Sequence, residues 1–190
     1  MENLLTNIRN CKLCTDLPLG PRPIIRATKS CKIMIIGQAP GTKVHETGIP
    51  WNDPSGDRLR DWMGLSKEIF YDDKQIAIMP MGLCYPGRQD KGGDKPPRPE
   101  CAPAWHDKVL SKLDHIELTL LIGSYAQAYY LGKSRRKTMT QTIAHWPEYL
   151  EKGLFVLPHP SWRVTHLIKK NPWLETDVFP VLKKTIREVL

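Results

Sequence analysis

Four of the five cysteines fall into a pattern that could bind a metal. Cys11 and Cys14 form a CxxC pair, and Cys84 and Cys101 flank a Gly/Pro/basic stretch far downstream. Four thiolates suit either a tetrahedral zinc or a cubane iron–sulfur cluster, and spacing does not choose between them. The simpler alternative is that Cys84 and Cys101 are separate core thiols. Cys31 stands apart and reads as a small buried hydrophobe. A second group, His159-Pro160-Ser161-Trp162-Arg163, places an imidazole, a hydroxyl, an indole and a guanidinium on one Pro-stiffened turn. A third is basic: Arg163, Lys169 and Lys170, with Arg88, Lys91, Lys95 and Arg98. Trp162 and Trp173 interleave with these charges, a mixture suited to stacking on bases beside phosphates. Two other chemistries are excluded. Gly37-Gln38-Ala39-Pro40-Gly41-Thr42-Lys43 lacks the GK[ST] tail of a phosphate-binding loop. His45-Glu46 does not continue into HExxH.

These groups need a scaffold, and the apolar pattern supplies one. Four short runs, Lys32–Gly37, Ile76–Met81, Glu117–Gly123 and Leu154–Pro158, are apolar on both faces and read as buried strands. Helical patterns lie between them. Asp57–Met63 follows a Pro-Ser-Gly start, Ala102–Leu113 has a period near 3.6, and Ser124–Leu131 opens with a candidate N-cap serine. Asp177–Leu190 closes the chain with Val178, Leu182, Ile186 and Val189 on one side, and with Pro180 in its first turn. Alternating strands and helices predict an α/β fold: a mostly parallel four-stranded sheet between two helical layers. Ligands of such sheets bind beyond the carboxyl ends of the strands. Loops 37–56, 82–101 and 158–173 are therefore the ones to watch. Trp62, Trp105 and Trp146 are expected to pack internally.

Composition sets the limits. The chain has 190 residues, 41% hydrophobic and 25% charged, which suits one domain spanning 1–190. The formal charge of +8 favours a polyanionic partner. No run is apolar for long enough to span a membrane, and Met1–Asn10 has no signal-peptide apolar core. An odd cysteine count argues against a disulfide framework. A cytoplasmic protein is expected.

The loop motifs carry a resemblance. Gly37–Gly41 (GQAPG), Thr47-Gly48-Ile49-Pro50-Trp51 and Ser55-Gly56 are similar, at the same offsets, to the first motif of the iron–sulfur family 4 uracil-DNA glycosylases. His159–Arg163 resembles the superfamily's second motif, and the cysteine order resembles the family 4 cluster. The likeness covers roughly residues 11 to 170. GQAPG, NDPSG and HPSWR together look closest to a bacterial uracil-DNA glycosylase-like subgroup.

The resemblance implies a monofunctional DNA glycosylase, acting as a monomer on DNA. It would remove uracil or another deaminated or damaged base and leave an abasic site. Cys11, Cys14, Cys84 and Cys101 would hold a [4Fe-4S] cluster, with zinc as the alternative. Gly37, Gln38, Ala39, Pro40 and Gly41 would line the base and sugar pocket. Trp51 stands where the family stacks a Phe on the flipped base. His159 would donate to uracil O2, Ser161 would touch a flanking phosphate, and Arg163 would wedge into the duplex. Trp162, Lys169 and Lys170 would complete the DNA rim. Asp53 and Glu46 are the nearby carboxylates that could orient water.

There are two departures. Ala39 stands where some families carry an Asp or Asn, although family 4 also has Ala. Pro80 stands where the family reads uracil with an Asn, and Asn52 is the nearby amide that could take its place. The alternative function is a non-catalytic binder of nucleic acid or a nucleobase on the same fold.

Overall fold

The computed structural model describes residues 1–90 and 92–190; Lys91, named above among the rim cations, lies outside the described residues. Four parallel strands form the centre: β1 (Ile33–Ile36), β2 (Ile76–Ile78), β3 (Leu118–Ile122) and β4 (Leu154–Leu157), in the order β2-β1-β3-β4. Each lies within a run read from the sequence as a strand. The register pairs Ile33 with both Ile76 and Leu118, and Leu121 with Val156. The strands are buried along nearly their whole length, so each run must be apolar on both faces.

Successive side chains along a strand point to opposite faces, and two cores result. On one face Ile33, Ile35, Ile78, Leu120 and Phe155 pack under α3 (Pro54–Met63) and α10 (Phe179–Val189). The Trp62 and Phe179 rings stack there with centroids 4.4 Å apart, locking the two helices together. On the other face Met34, Ile36, Ala77, Leu121 and Val156 pack under α1 (Glu2–Arg9), α5 (Cys101–Leu110) and α6 (Gly123–Leu131). The outcome is the three-layer α/β arrangement expected from the alternating pattern. Shorter helices fill the connections: α2 (Thr42–Thr47), α4 (Lys67–Phe70), α7 (Met139–Ala144), α8 (Trp146–Leu150) and α9 (Val164–Lys170).

Local signals explain several helix ends. Asp53 caps α3 by accepting from the Gly56 amide at 2.8 Å, and Pro54 occupies the first turn. Thr138 and Gln141 form a reciprocal capping box on α7. Val178, Leu182, Ile186 and Val189 are all buried, as the C-terminal periodicity predicts, although a π-turn (Leu174–Val178) precedes α10. Ser124 is not a cap, because α6 starts one residue earlier, at Gly123, directly from β3. Gly123 permits that abrupt start by adopting a φ of +82°.

Trp62 is buried, and Trp105 and Trp146 pack partly buried against the cores, as expected. Trp173 also packs against the core, so its proposed contact with bases is not supported. No helix among the described residues is long and apolar enough to cross a membrane.

Candidate active site

The order β2-β1-β3-β4 reverses direction between β1 and β3, and in parallel sheets the crevice at such a switch point receives the ligand. A cavity of about 530 Å³ opens at this place. Three loops line it: Gly37–Gly41 with Trp51, Asp53 and Ser55 after β1; Pro80 with Arg88, Gln89, Gly92, Gly93 and Asp94 after β2; and His159 with Ser161–Arg163 after β4. The turns leaving strands one and four do meet around one space.

Trp51 and His159 form its centre. Their ring centroids are 5.7 Å apart with planes tilted by 35°. Trp51 adopts a φ of +57°, the only left-handed non-glycine among the described residues. A large aromatic held there implies strain of about 1–3 kcal/mol that its surroundings must impose. The surroundings are visible. A Cβ on Gly37 would sit 2.7 Å from the indole, and a Cβ on Gly56 only 1.7 Å from the Trp51 carbonyl oxygen. Arg60, buried in α3, donates to that same carbonyl at 3.3 Å. The glycines of GQAPG and of the Ser55-Gly56 pair thus make room for Trp51 and set its pose.

His159 follows the Leu157-Pro158 end of β4. Gln127 in α6 steadies that end by donating to the Leu157 carbonyl at 2.9 Å. Arg58 in α3 donates to the Pro160 carbonyl at 2.8 Å, tying the second motif to the helix that follows the first. Burial holds the imidazole below the ordinary histidine range, with Asp53 opposing. A neutral ring with one N–H remains, which can donate a hydrogen bond without carrying charge.

Two assignments are corrected by position. Glu46 lies on the exposed side of α2 and does not line the cavity. The Asn52 amide faces Thr47 at 3.5 Å and also stays out of the cavity, so it does not replace the missing Asn. Pro80 does line the wall. Asp53 lines it as well, but one of its oxygens is engaged in capping α3. Gly37, Gln38, Ala39, Pro40 and Gly41 line the cavity as expected, and Ser161, Trp162 and Arg163, read from the sequence as DNA contacts, line it too.

Trp162 is 75% exposed, with the Arg163 guanidinium 5.4 Å from its ring centroid. Large indoles are seldom left in water without a partner to stack on. Lys169 and Lys170 are exposed in the last turn of α9, beyond the cavity rim. Arg98 is not at this rim; it pairs with Asp16 beside the cysteines.

Sequence reading missed three residues. Asp94 lines the cavity from the 88–94 hairpin. His106 and Tyr130 brace the wall behind Pro80. The fully buried His106 places Nε2 3.2 Å from the Pro80 carbonyl and Nδ1 2.6 Å from the Tyr130 hydroxyl. Burial pushes His106 down to about 4, so the ring is neutral and can donate to Pro80 while accepting from Tyr130. No local motif marks this pair, because 24 residues separate its members.

A family model described as the uracil DNA glycosylase superfamily matches residues 26–183. The chain belongs to that superfamily. Membership in the uracil DNA glycosylase superfamily gives the cavity a glycosylase-like role in general, with DNA as the partner.

The match begins after the first two cysteines, so it is silent about the thiol site. All four thiols line one cleft, between Pro21, Pro23, Leu83 and Trp105. The Leu83 amide donates to Cys101 Sγ at 3.3 Å. Burial, reinforced by the neighbouring thiols, pushes Cys84 up to about 12 and Cys101 up to about 11. The two thiols are therefore neutral as they stand. Among the described residues no three His, Cys, Asp or Glu side chains gather tightly enough to hold a metal ion.

Proposed function

We propose that the protein is a monofunctional DNA glycosylase that hydrolyses the N-glycosidic bond of uracil or another deaminated or damaged base, leaving an abasic site. The observation that carries this reading is the Trp51–His159 pair, 5.7 Å apart within a cavity built from the two motif loops. An enzyme acting on a base inside a duplex must first extrude it, at a cost of a few kcal/mol. The exposed Trp162–Arg163 pair supplies an indole and a cation at the mouth of the cavity to hold the distorted strand. The base would stack on the Trp51 indole and turn its edge toward His159. As the bond breaks, negative charge grows on the base, and a fixed neutral N–H aimed at its carbonyl oxygen lowers the barrier.

The test uses labelled single- and double-stranded oligonucleotides carrying uracil, hypoxanthine or xanthine. Alkali cleaves strands at abasic sites. Breaks at one of these bases, dependent on protein, are the expected result. Tight binding with no break on any substrate favours the second reading, a non-catalytic binder of nucleic acid or a nucleobase. Pro80 in the cavity wall is the observation behind that alternative: it brings neither an amide side chain nor an N–H to read a base.

The four cysteines are proposed to hold a [4Fe-4S] cluster, tying the N-terminal segment to the loop after β2. The choice of a cluster over zinc rests on the order of the cysteines, which resembles that of the family 4 glycosylases. The cluster would be structural here, stapling the wall that carries Pro80. Freshly purified protein is expected to be brown, with iron and acid-labile sulfide in equal amounts. Both should be lost in Cys84→Ser. Colourless protein with stoichiometric zinc would establish the alternative.

A further inference from the structure

The glycosylase reading leaves the water unassigned, and the 88–94 hairpin carries the side chain suited to it. The hairpin is tightly built. The backbones of Arg88 and Asp94 pair as an antiparallel β-bridge, the Gln89 amide donates to the Gly93 carbonyl at 2.9 Å, and the Gln89 side chain donates to the Asp94 carbonyl at 3.1 Å. Gly92 and Gly93 turn it through φ values of +84° and +89°. Arg88, Gln89, Gly92, Gly93 and Asp94 line the cavity. A Cβ on Gly93 would lie 3.6 Å from the Arg163 guanidinium, and one on Gly41 would lie 3.4 Å from Asp94 Oδ2. The Asp94 carboxylate is therefore aimed at the GQAPG turn, inside the cavity.

Three cavity-lining side chains among the described residues carry an atom that could serve as a base: His159, Asp53 and Asp94. His159 is needed as a donor. Asp53 is engaged in holding the first turn of α3. No hydrogen bond or ion pair occupies the Asp94 carboxylate among the described residues, and it is partly buried. An acid in a cavity that receives a polyanion opposes binding through charge repulsion. The same charge favours a sugar that turns cationic in the transition state.

We propose that Asp94 is the catalytic residue that holds the attacking water and takes its proton. This rests on the glycosylase reading above. The C1′–N bond breaks and its electron pair leaves with the base. The water oxygen forms the new bond to C1′, and its proton passes to the Asp94 carboxylate. The released base anion is then protonated and Asp94 returns to the carboxylate, giving an abasic sugar and a neutral base. Burial raises Asp94 above the ordinary carboxylate range, with Arg88 opposing and Asp53 reinforcing. That direction favours proton uptake.

The test compares Asp94→Asn with wild type in single-turnover excision of whichever base the wild type removes. Affinity for a duplex carrying a non-cleavable 2′-fluoro analogue of that nucleotide is measured in parallel. Excision by Asp94→Asn is expected to fall at least about 100-fold, with affinity unchanged or tighter. Asp94→Asn cutting within threefold of wild type, beside an active wild type, would falsify the assignment and leave the glycosylase reading intact. Equal loss of excision and affinity would also overturn it, because Asp94 would then be a binding contact. A wild type that makes no abasic site on any substrate removes both readings together.

Discussion

His159→Ala is expected to slow base excision by about 10²–10³-fold while leaving affinity for duplex DNA within a few-fold of wild type. The half-buried imidazole packs beside Gly123 and is held neutral, so its contribution is a fixed N–H rather than a charge. A donor of this kind acts mainly when negative charge develops on the leaving base. Its removal should therefore lower the chemical rate without weakening the initial complex. His159→Gln, which retains an N–H, is expected to fall between wild type and the alanine variant. Single-turnover rates at saturating enzyme, with affinities from fluorescence anisotropy, separate the two quantities. A loss confined to affinity would make His159 a DNA contact and remove it from the chemistry.

The second large effect concerns a glycine, Gly56, which has no side chain to take part in chemistry. In the interior of an exposed helix, Gly→Ala stabilises by about 1 kcal/mol. Gly56 lies in the first turn of α3, so propensity alone predicts a gain. The Trp51 carbonyl, 1.7 Å from the would-be Cβ, predicts the reverse. The obstacle is backbone, which cannot rotate away as a side-chain tip can, and the forced shift should cost about 3 kcal/mol or more. The clash outweighs the propensity. For a chain of this size each 1 kcal/mol lowers Tm by about 2–4 °C, so Gly56→Ala should lose about 4–12 °C after any propensity gain. The variant should also lose excision activity at temperatures where it is still folded, because Trp51 moves with its carbonyl. A melt unchanged or raised would show that α3 can slide without cost.

The sequence was most informative where one residue type serves one purpose. Double-sided apolar runs located all four strands, and the parallel order followed from the helices between them. Gly37, Gly56, Trp51 and His159 were found through motif spacing, and they meet in the structure because loops after parallel strands, here β1 and β4, open on the same edge of the sheet. Reading failed where placement depends on direction rather than sequence distance. Glu46 is seven residues from Asp53, yet α2 turns it to solvent. Asn52 adjoins Trp51, but the left-handed turn at residue 51 takes its amide toward Thr47. Asp94 was hidden for the opposite reason. It sits in a Gly/Pro/Lys stretch that resembles a plain surface loop until its hairpin hydrogen bonds are seen. His106 and Tyr130 lie on separate helices and meet only through tertiary packing.

The left-handed Trp51 has a further implication for how this cavity can change over generations. Position 51 cannot drift alone, because its ring and its carbonyl are each fitted against a residue that has no side chain. A descendant that places even a methyl group at 37 or 56 must also give up the large aromatic, and one that gives up the aromatic opens a gap that two bare backbones cannot fill. Homologous chains should therefore either keep all three residues or replace them as a set.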